Sequence, residues 1–129
     1  GVICCAMDAR RHQVYNALFR AREGTLERLT PDRAISLEEL ARELKSLDGP
    51  QIVVGDGSEL CYNDASARGL QLKLAPPHLR FQSAWGVARA ALEQARQGKL
   101  ISGADLTANY LRLSQAERER LAKERQTKA

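Results

Sequence analysis

The stretch AMDARRHQVYNALF, Ala6 to Phe19, decides how this chain is read. The apolar run Val2 to Met7 leads into it and shows no alternation of its own, as a central strand buried on both faces would. The run ends at Asp8-Ala9-Arg10, and a second strand follows over Gln13 to Arg20, with Val14, Ala17 and Phe19 set against Gln13, Asn16 and Arg20. Together they predict a tight hairpin with a carboxylate at its base. The simplest role for Asp8 is to accept hydrogen bonds from the turn amides of Arg10 and Arg11.

Downstream, Glu23-Gly24 supplies a turn, and Thr25 to Leu29 is expected as an edge strand from its position after that turn. Ser36-Leu37-Glu38-Glu39 is a capping box, and Leu37, Leu40, Ala41, Leu44 and Leu47 form the apolar stripe of the helix it opens. Asp48-Gly49-Pro50 stops that helix. Gln51 to Val54 is a short β-branched strand running into Gly55-Asp56-Gly57. Ser58 to Arg68 predicts a helix ending at Gly69, and Leu70 to Leu74 a strand ended by Ala75-Pro76-Pro77. Ser83 caps a helix through Gln97 whose small inner face, with Ala84, Val87, Ala88, Ala91 and Ala95, predicts close packing on the sheet. Leu100 to Leu113 is read as irregular with a Tyr110-Leu111 anchor. A second capping box, Ser114 to Glu117, opens a charged helix with scarcely any apolar face.

Strand, strand, strand, helix, strand, helix, strand, helix is the order of a ribonuclease-H-like lobe, an α/β fold with a mixed sheet and helices on both faces. The expected division is a lobe over 1–113 and a charged helical or frayed tail over 114–129. In this order the first and fourth strands lie side by side, so Asp8 and Asp56 meet at the carboxyl edge of the sheet, where α/β proteins place their chemistry.

With 129 residues, 43% of them hydrophobic, the chain has the size of one domain with one core. It begins Gly1-Val2-Ile3-Cys4-Cys5, inside a strand and without an initiator Met or a basic leader, as a fragment or processed product would. No apolar run approaches the ~20 residues of a membrane-spanning helix. Cys4, Cys5 and Cys61 are odd in number and lack metal-ligand spacing, which points to a reduced, cytoplasmic protein. The net charge is +4, but residues 115–129 hold five basic and three acidic residues, leaving +2 for the rest. With 5% aromatic residues and both charge signs intermixed, this composition is weak evidence for nucleic-acid binding.

Asp8 and Asp56, joined by Glu38 or Glu39, would be needed to hold two divalent cations for phosphodiester cleavage. Glu39 is committed to the capping box and Glu38 lies off the leucine stripe, so a metal-dependent nuclease is the lesser reading, beside a simple interaction domain. Gly55-Asp56-Gly57 lacks the downstream Lys of a nucleotide loop and reads as a turn before a helix. His12 and His78 have no partner at ligand spacing. Ser58 lacks a nucleophile elbow, and Cys61 has no neighbouring His. Tyr15, Trp85 and Tyr110 read as core or domain-contact aromatics.

AMDARRHQVYNALF, then Val53-Val54-Gly55-Asp56-Gly57, then Tyr110-Leu111-Arg112 together resemble the carboxyl-terminal half of the TsaB (YeaZ) family over about residues 2–113. These proteins are paralogues of TsaD, of actin-like ATPase fold with two ribonuclease-H-like lobes. The positions carrying the resemblance are Asp8, Ala9, Arg10, Val14, Tyr15, Gly55, Asp56, Gly57, Tyr110, Leu111 and Arg112. It implies a non-catalytic scaffold in the complex that forms threonylcarbamoyladenosine at adenosine 37 of tRNA, in the cytoplasm. It implies a TsaD-type partner, a TsaE-type ATPase and no cofactor, metal or catalytic residue in this lobe. Nothing in the resemblance assigns tRNA contacts to it. The family's first lobe, with its Ile-Asp-Thr-Ser strand, has no counterpart here, and a homodimer is expected to cover the surface so exposed. Ala108 stands where the family often has Pro, and Arg11-His12 replaces a smaller turn.

Overall fold

The computed structural model describes residues 1–113 and 115–127. β1 (Val2–Asp8) lies at the centre of a mixed sheet, antiparallel to β2 (Gln13–Arg22) and parallel to β5 (Gln51–Val54). β5 pairs in parallel with β6 (Lys73–Leu74), and β3 (Thr25–Arg28) pairs antiparallel with the far half of β2. The near half of β2, Gln13 to Asn16, pairs with β4 (Arg33–Ser36).

β4 is the element the sequence analysis missed. Of its four residues the sequence assigns only Ser36, as the start of the capping box. In the structure they continue the β3 edge after an interruption at Leu29–Asp32, where Leu18 donates its amide to the Thr30 hydroxyl at 2.9 Å and accepts from the Leu29 amide at 2.8 Å. Pro31 has no amide to give, so the edge breaks there and resumes at Arg33. Arg33 then donates to Glu43 at 2.6 Å and to the side-chain oxygen of Asn16 at 3.1 Å, while the Asn16 side-chain amide donates to the Cys5 carbonyl at 2.8 Å.

α1 (Leu37–Lys45) forms where the capping box places it. The Ser36 hydroxyl accepts from the Glu39 amide at 3.2 Å, and the Glu39 carboxylate accepts from the Ser36 hydroxyl at 2.7 Å and the Ser36 amide at 3.4 Å. Those bonds hold the Glu39 carboxyl below its ordinary pKa. Leu37, Leu40 and Leu44 of α1 and Cys61 and Ala65 of α2 (Ser58–Ala67) share one core with Cys4, Ala6, Val14, Leu18 and Val53 of the sheet. Strand residues alternate in direction, so both helices cover the same face.

The carboxyl-terminal third departs from expectation. The last strand is Lys73–Leu74 rather than Leu70–Leu74, although Leu70 and Leu72 still pack on the core. Pro77 opens a short helical turn, α3 (Pro77–Arg80). α4 (Ala84–Arg96) forms with Ser83 as its cap, but the packing expected of its small face does not occur: none of its residues is buried, and Trp85 is 73% exposed. An alanine stripe permits close packing and adds little buried area of its own, so it does not hold the helix to the sheet. α5 (Gln115–Thr127) is a charged helix, and Ser114, the expected start of its capping box, lies outside the described residues. Among the described residues no helix is long and apolar enough to cross a membrane.

The three thiols are free. Burial, with a smaller contribution from Asp64, pushes Cys61 up to about 12, and burial, then the neighbouring Cys61 and Cys5, pushes Cys4 higher still. The unfolded chain ionises these groups near their ordinary 9.0, so their contribution to stability is whole below that pH and is lost as pH rises from 9 toward 12. The urea midpoint should therefore fall above pH 9, and a thiol reagent at pH 8 should label the half-buried Cys5 well before the other two. Rapid labelling of all three thiols in the folded chain would contradict this burial.

Candidate functional site at the carboxyl edge of the sheet

The β1–β2 hairpin turns through Arg10, Arg11 and His12, which have φ of 64°, 54° and 57°. Three successive left-handed residues without a glycine need an anchor. Asp8 supplies it. Its carboxylate accepts the Arg10 amide at 2.7 Å, and the turn closes through Ala9 N to Gln13 O at 3.1 Å and Gln13 N to Arg10 O at 3.0 Å. Ala9 and Val14, on either side of the turn, are buried.

Parallel pairing of β1 with β5 brings the Gly55-Asp56-Gly57 loop against the end of β1. The Asp56 carboxylate accepts the Asp8 amide at 3.2 Å, and the Gly57 amide donates to the Ala6 carbonyl at 3.0 Å. Both glycines are required by space. A Cβ on Gly55, whose φ is +102°, would lie 2.0 Å from the Ala6 carbonyl oxygen, and one on Gly57 would lie 2.9 Å from the Asp8 nitrogen. Asp8 and Asp56 thus meet as the element order predicts, and each accepts a backbone amide. The third carboxylate that nuclease chemistry needs is directed elsewhere: Glu38 pairs with Arg42 at 3.0 Å and Glu39 with Ser36. Among the described residues no cluster of three metal-ligating side chains forms.

Across the sheet from α1 and α2 lies a half-open groove of about 710 Å³, lined in part by Tyr15, Phe19, Gly55, Phe81, Tyr110 and Arg112. Arg112 is its tie: the guanidinium donates to Gln13 at 2.8 Å and stands 6.0 Å from the centre of the Tyr15 ring. The expected Tyr110-Leu111 anchor is corrected here. Tyr110 is 87% exposed and Leu111 half-buried, so the segment is held by the arginine that follows them. Trp85 is likewise no core aromatic. His12 and His78 are both exposed.

Sequence reasoning missed the groove, whose tie joins Arg112 to Gln13 across 99 positions, and the burial of the Ser58 hydroxyl at the start of α2, which has no hydrogen-bond partner among the described residues. It also missed the floor of the site: the Gly55 amide donates to the Arg80 carbonyl at 2.6 Å, and Arg80 reaches Glu59 at 2.6 Å, fixing α3 beneath the loop. The turn prolines gave the only sequence signal of that element.

No protein-family profile matches the chain. Over 60 residues it is 37% identical to the tRNA threonylcarbamoyladenosine biosynthesis protein TsaB of Bacillus subtilis, a match covering 46% of this chain and 26% of that protein. Its fold matches a Pseudomonas aeruginosa protein described as similar to peptidase YeaZ, with a TM-score of 0.65 and 17% identity over 86% of this chain and 49% of the other. It also matches YeaZ from Pseudomonas aeruginosa, with a TM-score of 0.62 and 17% identity over 85% of this chain and 49% of that one. The chain therefore spans about half the length of the structures it matches. The chain is thus similar in sequence to TsaB over 60 residues, and its mixed sheet is similar in fold to about half of YeaZ.

Proposed function

We propose that this chain is the second, non-catalytic lobe of a TsaB-like scaffold that takes part in forming threonylcarbamoyladenosine at adenosine 37 of tRNA. The observation that carries the reading is the 37% identity to TsaB over 60 residues, on a fold shared with YeaZ. The carboxylates at the sheet edge support a scaffold role, because Asp8 and Asp56 each accept a backbone amide and so fix a turn and a strand end. Asp8, Arg10, Tyr15, Gly55, Asp56, Gly57 and Arg112 then act by holding the hairpin, the loop and the returning segment in place. The partners in this reading are a TsaD-type paralogue that carries the chemistry and a TsaE-type ATPase, in the cytoplasm. Contact with the paralogue falls mainly on the half of the matched proteins that has no counterpart here.

A TsaB-depleted bacterium tests this. A chimera in which residues 2–113 replace the second half of TsaB should restore the modified nucleoside, measured by mass spectrometry of digested tRNA, whereas residues 1–129 alone should not. Rescue by residues 1–129 alone would place the function in this half and make Asp8, Arg10, Asp56 and Tyr110 candidates for direct contact. A folded chimera that fails to rescue would sink the reading. The isolated chain should also leave ATP, peptides and an RNA–DNA hybrid intact in Mg²⁺ or Mn²⁺. Cleavage of the hybrid that vanishes in both Asp8→Asn and Asp56→Asn variants would favour the nuclease reading instead.

A further inference from the structure

Two Phe, three Tyr and one Trp are all the aromatic residues of the chain, and both Phe and two of the Tyr line the groove of about 710 Å³ across the sheet from α1 and α2. Tyr15 and Phe19 stand on β2, Phe81 follows α3, and Tyr110 belongs to the returning segment, so rings from distant parts of the chain converge on one space. The volume lies within the ~300–1,000 Å³ of small-molecule sites, which are apolar with a few placed polar groups.

The walls of this space are tied down. Its floor is the face of β1 and β2 on which Cys5 and Met7 lie beside Ala17 and Tyr15. One wall is the segment from Arg80 to Gln82, held where the Arg80 carbonyl accepts the Gly55 amide at 2.6 Å. The other is the segment from Asn109 to Arg112, held where the Arg112 guanidinium donates to Gln13 at 2.8 Å. The returning segment therefore builds the groove and does not fill it, since the 710 Å³ remain with the segment in place.

Charge narrows the class of ligand. Among the described residues Asp32 is the one carboxylate on the lining, and Arg28 pairs with it at 2.8 Å. Arg80 is likewise engaged, with Glu59 at 2.6 Å. Arg112 differs: its partner Gln13 is neutral, and it makes no ion pair among the described residues. Its guanidinium stands 6.0 Å from the centre of the Tyr15 ring and keeps further N–H donors for an anion lying beside that ring.

We propose that this groove binds a small flat aromatic acid, with its ring among Tyr15, Phe19, Phe81 and Tyr110 and its carboxylate on the Arg112 guanidinium. Aromatic rings meet offset or edge to face, and a carboxylate matches the fork of an arginine with charge-assisted bonds. Occupancy of this site is independent of the scaffold reading, so either can fail without the other.

Three probes separate the ring from the charge: naphthoate carries both, naphthalenemethanol keeps the ring alone, and cyclohexanecarboxylate keeps the charge alone. Titrated into the 129-residue chain and followed by NMR, naphthoate should saturate at one per chain. The other two should each bind at least about five-fold more weakly. Saturating naphthoate should also slow the labelling of Cys5, on the groove floor, by a thiol reagent. Arg112→Gln should abolish the preference for naphthoate over the neutral alcohol and leave the alcohol's affinity as it was. Because that change also alters the tie to Gln13, Gln13→Ala is its control: it breaks the tie, keeps the charge and should keep the preference. Tyr110→Ala removes a ring that is 87% exposed, and should weaken both aromatic probes about three-fold with circular dichroism unchanged. Naphthoate that does not saturate at one site, equal binding of the alcohol, or an Arg112→Gln chain that still prefers the carboxylate would overturn the proposal. So would loss of the preference in Gln13→Ala, which would mean that the probe reads the position of the segment and not the guanidinium.

Discussion

Gly55→Ala should unfold the chain or cost it at least about 3–5 kcal/mol, among the largest effects of any single substitution. Two penalties act together. The residue sits at φ +102°, where an L side chain is strained, and its Cβ would lie 2.0 Å from the Ala6 carbonyl oxygen and 2.9 Å from the carbonyl carbon. Those atoms are backbone of the central strand, so they cannot turn aside as a flexible side chain would. Relief requires β1 and β5 to separate, which breaks the clasp formed by Gly57 on Ala6 and by Asp56 on Asp8. Gly49→Ala is the matched control. Its φ is +89° and its Cβ would meet nothing within 4 Å, so it should show the backbone penalty alone, about 1 kcal/mol. Urea denaturation of the two variants compares them. Similar losses would mean that the contact at Gly55 relaxes without cost, and that the loop does not hold the strand end.

The contrast between these glycines also marks how far the sequence could be read. Gly55-Asp56-Gly57 was legible as a turn because a β-branched run precedes it and a helix follows. Its meeting with Asp8 was legible because the element order places β5 beside β1. The capping box at Ser36 and the stripe Leu37, Leu40 and Leu44 are local signals, and the structure reproduces both. β4 was not legible. Arg33-Ala34-Ile35-Ser36 has no alternation to show, and it is a strand only because β2, some twenty residues earlier, offers Gln13 to Asn16 as a partner. The groove was hidden for the same reason, since its tie joins Arg112 to Gln13. α4 illustrates a different limit. Periodicity reveals that a helix has an apolar face and is silent about what covers it. The expectation that the face meets its own sheet rested on its small residues, which permit close packing without enforcing it.

Leu44→Ala should destabilise the chain by about 2–5 kcal/mol, whereas Leu121→Ala should cost less than about 1 kcal/mol. Leu44 is 1% exposed, on the stripe that α1 presses against the sheet, and it shares its core with Leu40, Cys4 and Val53. Truncation leaves a cavity bounded by a strand pair and two helices, an arrangement that collapses poorly. Against the ~5–15 kcal/mol that a domain of this size can be expected to hold, such a loss moves the denaturation midpoint substantially. Leu121 lies on α5 and is 36% exposed, on a helix whose Arg120 and Glu124 pair at 3.7 Å in solvent. An exposed pair of that kind contributes little. If both variants lost stability equally under chemical denaturation, α5 would belong to the core, and the division of the chain after residue 113 would have to be redrawn. A small loss at Leu44 would be more damaging, because the α1 stripe and α2 together form most of the apolar cover of this face of the sheet among the described residues.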